Sequence, residues 1–91
     1  MKSIRCDEEK NRVLRKERGV TFDEVLAHIE NEDVLAVIEN PSREHPHQKA
    51  IVLVIKEYVY YVPFVADADG IFLKTIIPSL KLNRKYNSED T

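Results

Sequence analysis

Apolar residues are sparse at the start of the chain, where charged residues dominate. Asp7 precedes two glutamates, an order typical of a helix N-terminus, because an aspartate caps the first turn and acidic side chains favour the positive end of the helix dipole. Gly19 is the kind of residue that closes a helix in the left-handed conformation. The pattern predicts a first helix between these positions, largely solvated and basic in its second half.

The strongest local signal follows this glycine. Thr21 and Glu24 have the spacing of a capping box, in which each side chain accepts a hydrogen bond from the backbone N–H of the other residue. Val20 and Val25 occupy the two positions of a hydrophobic staple. Apolar residues then recur at the spacing of one helix face, namely Phe22, Val25, Leu26 and Ile29. The sequence predicts a second helix that ends near Asn31.

Beyond residue 33 the pattern changes to short runs of β-branched and aromatic residues that end at turn residues. Four strands are predicted, at 34–38, 50–55, 58–65 and 71–77. Because the connections between them are short, neighbouring strands are expected to be antiparallel. The chain is therefore predicted to be an α+β protein, with two N-terminal helices packed on one face of a four-stranded antiparallel sheet.

Three positions bear on the regularity of the predicted sheet. Lys56 and Glu57 separate the second and third strands, but they do not suit the usual two-residue hairpin turn, which predicts a looser turn. Pro63 lies inside the third strand and has no N–H to donate, which predicts a bulge or an unpaired edge. Tyr60 and Tyr61 are consecutive, so only one of them can face the helices, and the other faces solvent or a ligand.

Composition limits the class of protein. The 91 residues suffice for one domain, predicted over residues 1–86 with a disordered tail at 87–91. With 43% hydrophobic and 33% charged residues the composition is globular, and no apolar run is long enough to span a bilayer. The charged N-terminus lacks an apolar signal region, which predicts a cytoplasmic protein. A net charge of −2 argues against a protein that coats nucleic acid through bulk charge.

Few residues offer metal or cofactor chemistry. His45 and His47 have no third ligand nearby in the sequence, and we interpret them as part of a solvated polar loop. Cys6 is the only cysteine, so it can form neither an internal disulfide nor a cysteine-based zinc site. The two glycines do not form a phosphate-binding loop. The sequence predicts neither a metal nor a cofactor.

Basic residues gather near the end of the last apolar segment. They are Lys74, Lys81, Arg84 and Lys85, and Lys49 at the start of the second strand could join them at one end of the sheet. One interpretation is a solvated basic tail. The other is a ribonuclease site without a metal, in which cations stabilise a pentacoordinate phosphate while a lysine or tyrosine handles proton transfer for attack by the 2′-hydroxyl.

Three segments, in order along the chain, carry a resemblance to a known family. Residues 7–11 look like an opening "W-D-x-x-K-N" motif, and residues 16–24 are similar to "K-H-G-[VI]-[ST]-F-x-E". Residues 74–81 are similar to a closing "R-x-I-S-A-R-[KR]" motif. Together with the order of elements, the match covers residues 4–86, and the chain resembles the BrnT family, the toxin half of a bacterial type II toxin–antitoxin pair.

The resemblance implies a RelE-like ribonuclease fold and a metal-independent RNA cleavage that inhibits translation. It also implies a ribbon-helix-helix antitoxin that masks the toxin and represses the operon, so that DNA is contacted only through the antitoxin. Lys74 and Lys81 fall on basic positions of the closing motif. The predicted catalytic residues are Lys49, Lys74, Lys81 and Tyr61, and the predicted RNA-binding residues are Lys81, Arg84 and Lys85.

Three positions depart from the family's pattern. Cys6 stands where a tryptophan is usual, Arg18 stands where a histidine precedes the glycine, and Leu80 stands where an arginine is usual. The missing guanidinium is a bidentate phosphate donor that a lysine does not replace. Three functions are therefore open: an active endoribonuclease, a catalytically weak relative that acts as a partner-binding module, and a small interaction module unrelated to toxins.

Overall fold

The computed structural model describes residues 3–41, 44 and 48–86, in which a strand and two helices are followed by five strands and a third helix. The elements are β1 (Ser3–Cys6), α1 (Glu8–Arg18), α2 (Phe22–Glu30), β2 (Ala36–Glu39), β3 (Lys49–Ile55), β4 (Tyr58–Asp67), β5 (Gly70–Leu73), β6 (Ile77–Pro78) and α3 (Leu80–Tyr86). The predicted tail at 87–91 and the histidines at 45 and 47 lie outside the described residues. None of the helices described is long and apolar enough to cross a membrane.

Both predicted N-terminal helices are confirmed, with their caps. The Asp7 side chain accepts hydrogen bonds from the first turn of α1, and Gly19 ends that helix with φ of 70°. The capping box of α2 is formed, because Thr21 and Glu24 each accept from the backbone of the other. Asn11 adds a link that the pattern did not indicate: its buried Oδ1 accepts from the N–H of Phe22 at 2.8 Å, which connects α1 to the first residue of α2.

The sheet differs from the predicted four-stranded antiparallel arrangement, although the α+β class is confirmed. Its strand order is β1-β5-β4-β3-β2, with β6 beside β4. All pairs are antiparallel except β1 and β5, which are parallel. The segment Ser3–Cys6 was too short to be recognised as a strand, and its pairing partner Gly70–Leu73 lies at the far end of the chain. A third helix, α3, follows β6 and was not among the two predicted helices.

The turn between β3 and β4 is tighter than expected. Ile55 and Tyr58 pair directly, and Lys56 and Glu57 both adopt left-handed backbone angles, with φ of 54° and 71°. The expectation of a loose turn is therefore wrong. The Lys56 ammonium donates a hydrogen bond to the carbonyl of Gly19. This contact attaches the hairpin to the junction between α1 and α2.

The two faces of the sheet have different coverings. Ile51, Leu53 and Ile55 of β3 belong to the core between the sheet and α1–α2. Because side chains alternate along a strand, Val52 and its partner Tyr61 lie on the opposite face. We call this the far face; it is carried by Ala50, Val52, Val59, Tyr61 and Pro63.

The helix α3 covers part of the far face. No α3 residue joins the core described above. Its Asn83 Oδ1 accepts from the N–H of Val59 at 3.1 Å, and the N–H of Ser79 just before it donates to the Val59 carbonyl at 3.1 Å. Val59 and Val52 are fully buried. The far face is thus closed near Val59, where α3 is anchored.

The edge strand β1 is held by the turn between β4 and β5. Asp67 accepts from the backbone N–H of Asp69 at 2.8 Å and from Gly70 at 3.1 Å, and its other oxygen lies 3.0 Å from the Arg5 guanidinium. The hydrogen bond from Arg5, with that from Asp69, holds the pKa of the Asp67 carboxyl below its usual value. One carboxylate therefore shapes the turn and attaches β1 to it.

We expect this carboxylate to make stability depend on acid pH. A carboxyl whose pKa is lower in the folded than in the unfolded chain contributes stability that is present above the unfolded value of 3.8, and that is lost as the pH falls through the folded value. Denaturant unfolding should show wild type more stable than Asp67→Asn at neutral pH, with the difference shrinking below pH 3.8. Asp69→Asn, which removes a neighbouring carboxylate, is the control. A wild-type advantage that stays constant in acid would contradict this assignment.

Candidate functional site

Pro63 interrupts the edge of β4 that faces β5 and β6. Its carbonyl accepts from the N–H of Lys74 at 2.8 Å, and its ring nitrogen, which faces the same edge, has no proton to donate. Phe64 pairs with Leu73 and Tyr61 pairs with Ile77, so two residues of β4 oppose the three residues 74–76. The sheet is therefore irregular opposite Pro63, as the expectation of a bulge or an unpaired edge required: residues 74–76 belong to neither β5 nor β6. We call residues 74–76 the Lys74 bulge.

The Lys74 bulge is held from the helix side by a residue that sequence reasoning did not select. Ile76 is fully buried in the core, and its carbonyl accepts from the Arg18 guanidinium at 2.5 Å. Arg18 is the last residue of α1, directly before the cap Gly19. Its partner lies 58 positions away in the sequence, so the contact could not be read from the local pattern. Arg18 therefore acts as a positioning residue for the bulge.

A cavity of about 270 Å³ lies beside the Lys74 bulge, on the far face. Lys74 and Thr75 line it from the bulge, with Pro63 and Ile77 as apolar walls. Across from them the cavity is lined by Asn40, Glu44 and Gln48. Neither Asn40 nor Gln48 was predicted from the sequence as a site residue.

The two amides of this cavity form one unit. The Asn40 N–H donates to the Gln48 carbonyl at 2.9 Å, and the Asn40 side-chain Nδ2 donates to Gln48 Oε1 at 3.2 Å. Asn40 is only 8% exposed. Both side chains lie on the far face, because they continue the register in which Ile38 pairs with Ala50. The position of the Gln48 amide is fixed before any ligand arrives.

Lys74 and Tyr61 are both placed on this face of the sheet. The exposed Lys74 has its Nζ 5.4 Å from the centre of the Phe72 ring, and it makes no ion pair within the described part of the chain. Tyr61 is half-buried and pairs with Ile77, next to the cavity wall. Of the consecutive tyrosines, Tyr60 packs against the helix-side core and Tyr61 faces away from it.

Lys49 lies on the other side of the sheet. It pairs in register with Glu39 and Phe64, on the face that α1 and α2 cover. Its ammonium is 3.5 Å from the Glu39 carboxylate. The structure therefore does not bring Lys49 together with Tyr61 on the far face, and a catalytic role for Lys49 stays a prediction.

The remaining cations are exposed on α3. They are Lys81, Arg84 and Lys85, and the Lys85 Nζ lies 5.3 Å from the centre of the Tyr86 ring. α3 is anchored at Val59, whereas Lys74 is anchored at Pro63, which is roughly 13 Å further along β4 at the usual rise of a strand. Tyr61 lies between these two anchor points. The far face thus has a basic helix at one end, Lys74 at the other and a tyrosine between them.

Cys6 does not extend this site. It packs at the rim of the helix-side core, and burial, with the charges of Glu8, Asp23 and Asp7, raises the pKa of its thiol. A raised pKa keeps the sulfur protonated at neutral pH, so Cys6 is a poor nucleophile. Among the residues that the structure describes, no group of three His, Cys, Asp or Glu side chains is placed to hold a metal ion.

The chain was also compared with known proteins. No protein-family model, no curated protein and no solved structure matches it.

Proposed function

We propose that this protein is a BrnT-like toxin with a RelE-like fold, an endoribonuclease that inhibits translation, and that its RNA site lies on the far face of the sheet. The observation that carries the proposal is the position of Lys74 and the absence of a carboxylate beside it among the described residues. A proline-induced bulge presents this lysine beside a cavity, without a carboxylate partner among the described residues. The resemblance over residues 4–86 supports the same assignment, since Lys74 falls on a basic position of the closing motif.

The charge distribution supports an RNA surface of limited length. Arg5, Arg12, Lys49 and Lys56 lie within 4.0 Å of carboxylates elsewhere on the protein. Lys74, Lys81 and Lys85 make no such pair within the described residues. Ammonium groups that are not neutralised by carboxylates are available to phosphate oxygens, and the three on the far-face side suit a short single-stranded segment better than a long duplex.

The reaction is an internal transfer at phosphorus that needs no metal. The ribose 2′-hydroxyl attacks the adjacent phosphorus and gives up its proton, the bond to the 5′-oxygen breaks, and that oxygen takes up a proton. The products are a 2′,3′-cyclic phosphate and a 5′-hydroxyl. Lys74 stabilises the pentacoordinate phosphate, Tyr61 transfers a proton or stacks on a base, and Lys81, Arg84 and Lys85 at the other end of the far face hold flanking phosphates. Lys49 has no part in this scheme because it pairs with Glu39 on the opposite face.

Lys74 and the basic residues of α3 would also bind an acidic inhibitor. A ribbon-helix-helix antitoxin that places carboxylates over α3 and Lys74 would block RNA and gain charge complementarity in one step. DNA would then be bound by the antitoxin and not by this chain.

A charge reversal on α3 tests where the RNA lies. Lys81→Glu is expected to reduce RNA cleavage by roughly tenfold or more, because it replaces a phosphate-binding cation by an anion. Lys16→Glu on α1 is the matched control, since it makes the same change at an exposed helical position away from the far face. Initial rates on a labelled single-stranded RNA measure both. Loss of cleavage in Lys16→Glu with unchanged rates in Lys81→Glu would place the active surface on the N-terminal helices.

A second function is favoured by one observation. Leu80, at the start of α3, is 55% exposed and stands where the family usually has arginine. An exposed leucine cannot bind phosphate, so the chain could serve as a catalytically weak partner-binding relative of the same fold.

A further inference from the structure

We infer that the open edge of β2 is an interface through which two copies of this chain pair into a two-fold dimer. The inference does not depend on the proposed function. β2 is the last strand in the order β1-β5-β4-β3-β2, so its outer side has no neighbouring strand within the described part of the chain. An edge strand presents unpaired N–H and C=O groups, and a strand of another molecule can pair with them.

The register of the sheet identifies the backbone groups that face this open edge. The Asn40 N–H donates to the Gln48 carbonyl at 2.9 Å, in continuation of the antiparallel pairing of β2 with β3. Because successive residues of an antiparallel strand direct their N–H and C=O groups to opposite sides, the even-numbered residues of β2 bond to β3. Val37 and Glu39 therefore direct their N–H and C=O groups outward.

The side chains at this edge do not prevent pairing. Val37 is 56% exposed, the largest exposed fraction among the large apolar residues that the structure describes, whereas the other edge strand, β1, carries no such exposed residue. The one charged side chain of β2 is Glu39, and its carboxylate lies 3.5 Å from the ammonium of Lys49 on β3. Edge strands are commonly protected by unpaired charges, above all by lysine, and β2 has no lysine.

A second copy of β2 matches this edge. In the antiparallel register that places Ile38 opposite Ile38 of the second copy, each Val37 lies opposite Glu39 of the other copy. Each copy then donates from the N–H groups of Val37 and Glu39 and accepts at the carbonyls of the same two residues, so every outward backbone group of these two residues is paired. The two Glu39 side chains are not directly opposed, which avoids the repulsion of like charges across a strand pair. The net charge of −2 opposes self-association only weakly.

The contact is short, so the dimer is expected to be weak. Pro41 has no N–H to donate at the next outward position, and the Leu35 N–H is already bonded to the Val52 carbonyl at 2.8 Å. Pairing of one short strand buries less area than the roughly 1,600 Å² of a stable complex, and we expect a dimer that forms in the high-micromolar range. Because opposed residues of an antiparallel pair share a face, the far faces of both copies lie on the same side of the joined sheet.

Concentration-dependent hydrogen exchange tests the interface residue by residue. In the monomer the amides of Val37 and Glu39 face water, whereas the amide of Ile38 is bonded to β3. Raising the concentration of ¹⁵N-labelled protein from the low-micromolar to the millimolar range should slow exchange at Val37 and Glu39 several-fold and change it much less at Ile38. Sedimentation equilibrium over the same range should show the mass rising from that of the monomer toward that of the dimer.

Two substitutions at Val37 should weaken the dimer without removing a bond to β3. Val37→Pro deletes the outward N–H, and proline is tolerated in an edge strand where its nitrogen faces solvent. Val37→Lys places an ammonium at the edge and should raise the dimer dissociation constant by roughly tenfold or more. Val65→Lys is the matched control, because it makes the same change at a valine of β4 that is 38% exposed and lies away from this edge, and it should leave the dimer intact.

Each outcome decides the inference. A monomeric mass up to millimolar concentration, with the Val37 and Glu39 amides still open to exchange, would overturn it and leave the edge to a strand of another protein. A dimer that persists in both Val37 variants, or that leaves these two amides unprotected, would use another surface and would overturn it equally. Circular dichroism shows whether the variants are folded, and if one is not, the exchange pattern of the wild type decides alone.

Discussion

Replacing Gly70 by alanine is expected to detach β1 from the sheet and to lower the free energy of unfolding by about 2–4 kcal/mol. The residue has φ of 142°, which side chains rarely tolerate, and a Cβ added there would lie 1.9 Å from the Ser3 carbonyl oxygen. That neighbour is backbone of the paired strand, so it can yield only if the strands separate. Chemical denaturation gives the loss of stability, and hydrogen exchange at Ile4 and Cys6 reports the release of β1.

A matched change at Gly19 separates the effect of the clash with the Ser3 backbone from the effect of a positive φ. Gly19 also has a positive φ, of 70°, but an added Cβ would meet no atom within 4 Å. Gly19→Ala should therefore cost only the strain of a left-handed alanine, about 1 kcal/mol. Equal losses in the two variants, or protected amides in β1 of Gly70→Ala, would show that the parallel edge strand is not seated as described.

If the proposed function holds, replacing Leu80 by arginine is expected to raise RNA cleavage by about tenfold or more. The Leu80 side chain is 55% exposed, so its replacement sacrifices little packing. A guanidinium there would add a planar bidentate phosphate donor next to Lys81 and one turn before Arg84. Cleavage of a single-stranded RNA by the purified variant measures the gain, and growth arrest on expression in bacteria reports it in cells.

The chain offers a matched control for this variant. Leu35 is 42% exposed just before β2, at the opposite edge of the sheet from β1. Leu35→Arg adds the same charge away from α3 and should leave cleavage unchanged. If both variants gain equally, the effect is one of net charge. If Leu80→Arg gains nothing while remaining folded, the partner-binding function becomes the better account.

Local features of this fold were predictable and distant ones were not. The capping box of Thr21 and Glu24 is formed as expected because both partners lie within one turn. The bulge opposite Pro63 was also predictable, since a missing N–H has the same consequence in any sheet. By contrast, β1 pairs with a segment more than 60 residues away, and four residues carry too little pattern to indicate it.

The same distinction applies to the site. Lys74 could be selected from the sequence as one of several clustered cations. The separation of Lys49 from Tyr61 could not be foreseen, because it depends on the register that pairs Lys49 with Phe64 and not with a neighbour. Asn40 and Gln48 meet only through the same kind of register across β2 and β3. A one-residue shift in either pairing would have placed different side chains at the cavity.

Cleavage of RNA in the presence of excess EDTA tests the central claim most directly. The purified chain and its Leu80→Arg variant should cut single-stranded RNA without a divalent ion and leave 2′,3′-cyclic phosphate and 5′-hydroxyl ends. Lys74→Gln should slow the reaction by about a hundredfold, because it removes the cation at the reacting phosphate. No cleavage by either the wild type or Leu80→Arg, or cleavage that begins only when a divalent ion is added, would contradict the account.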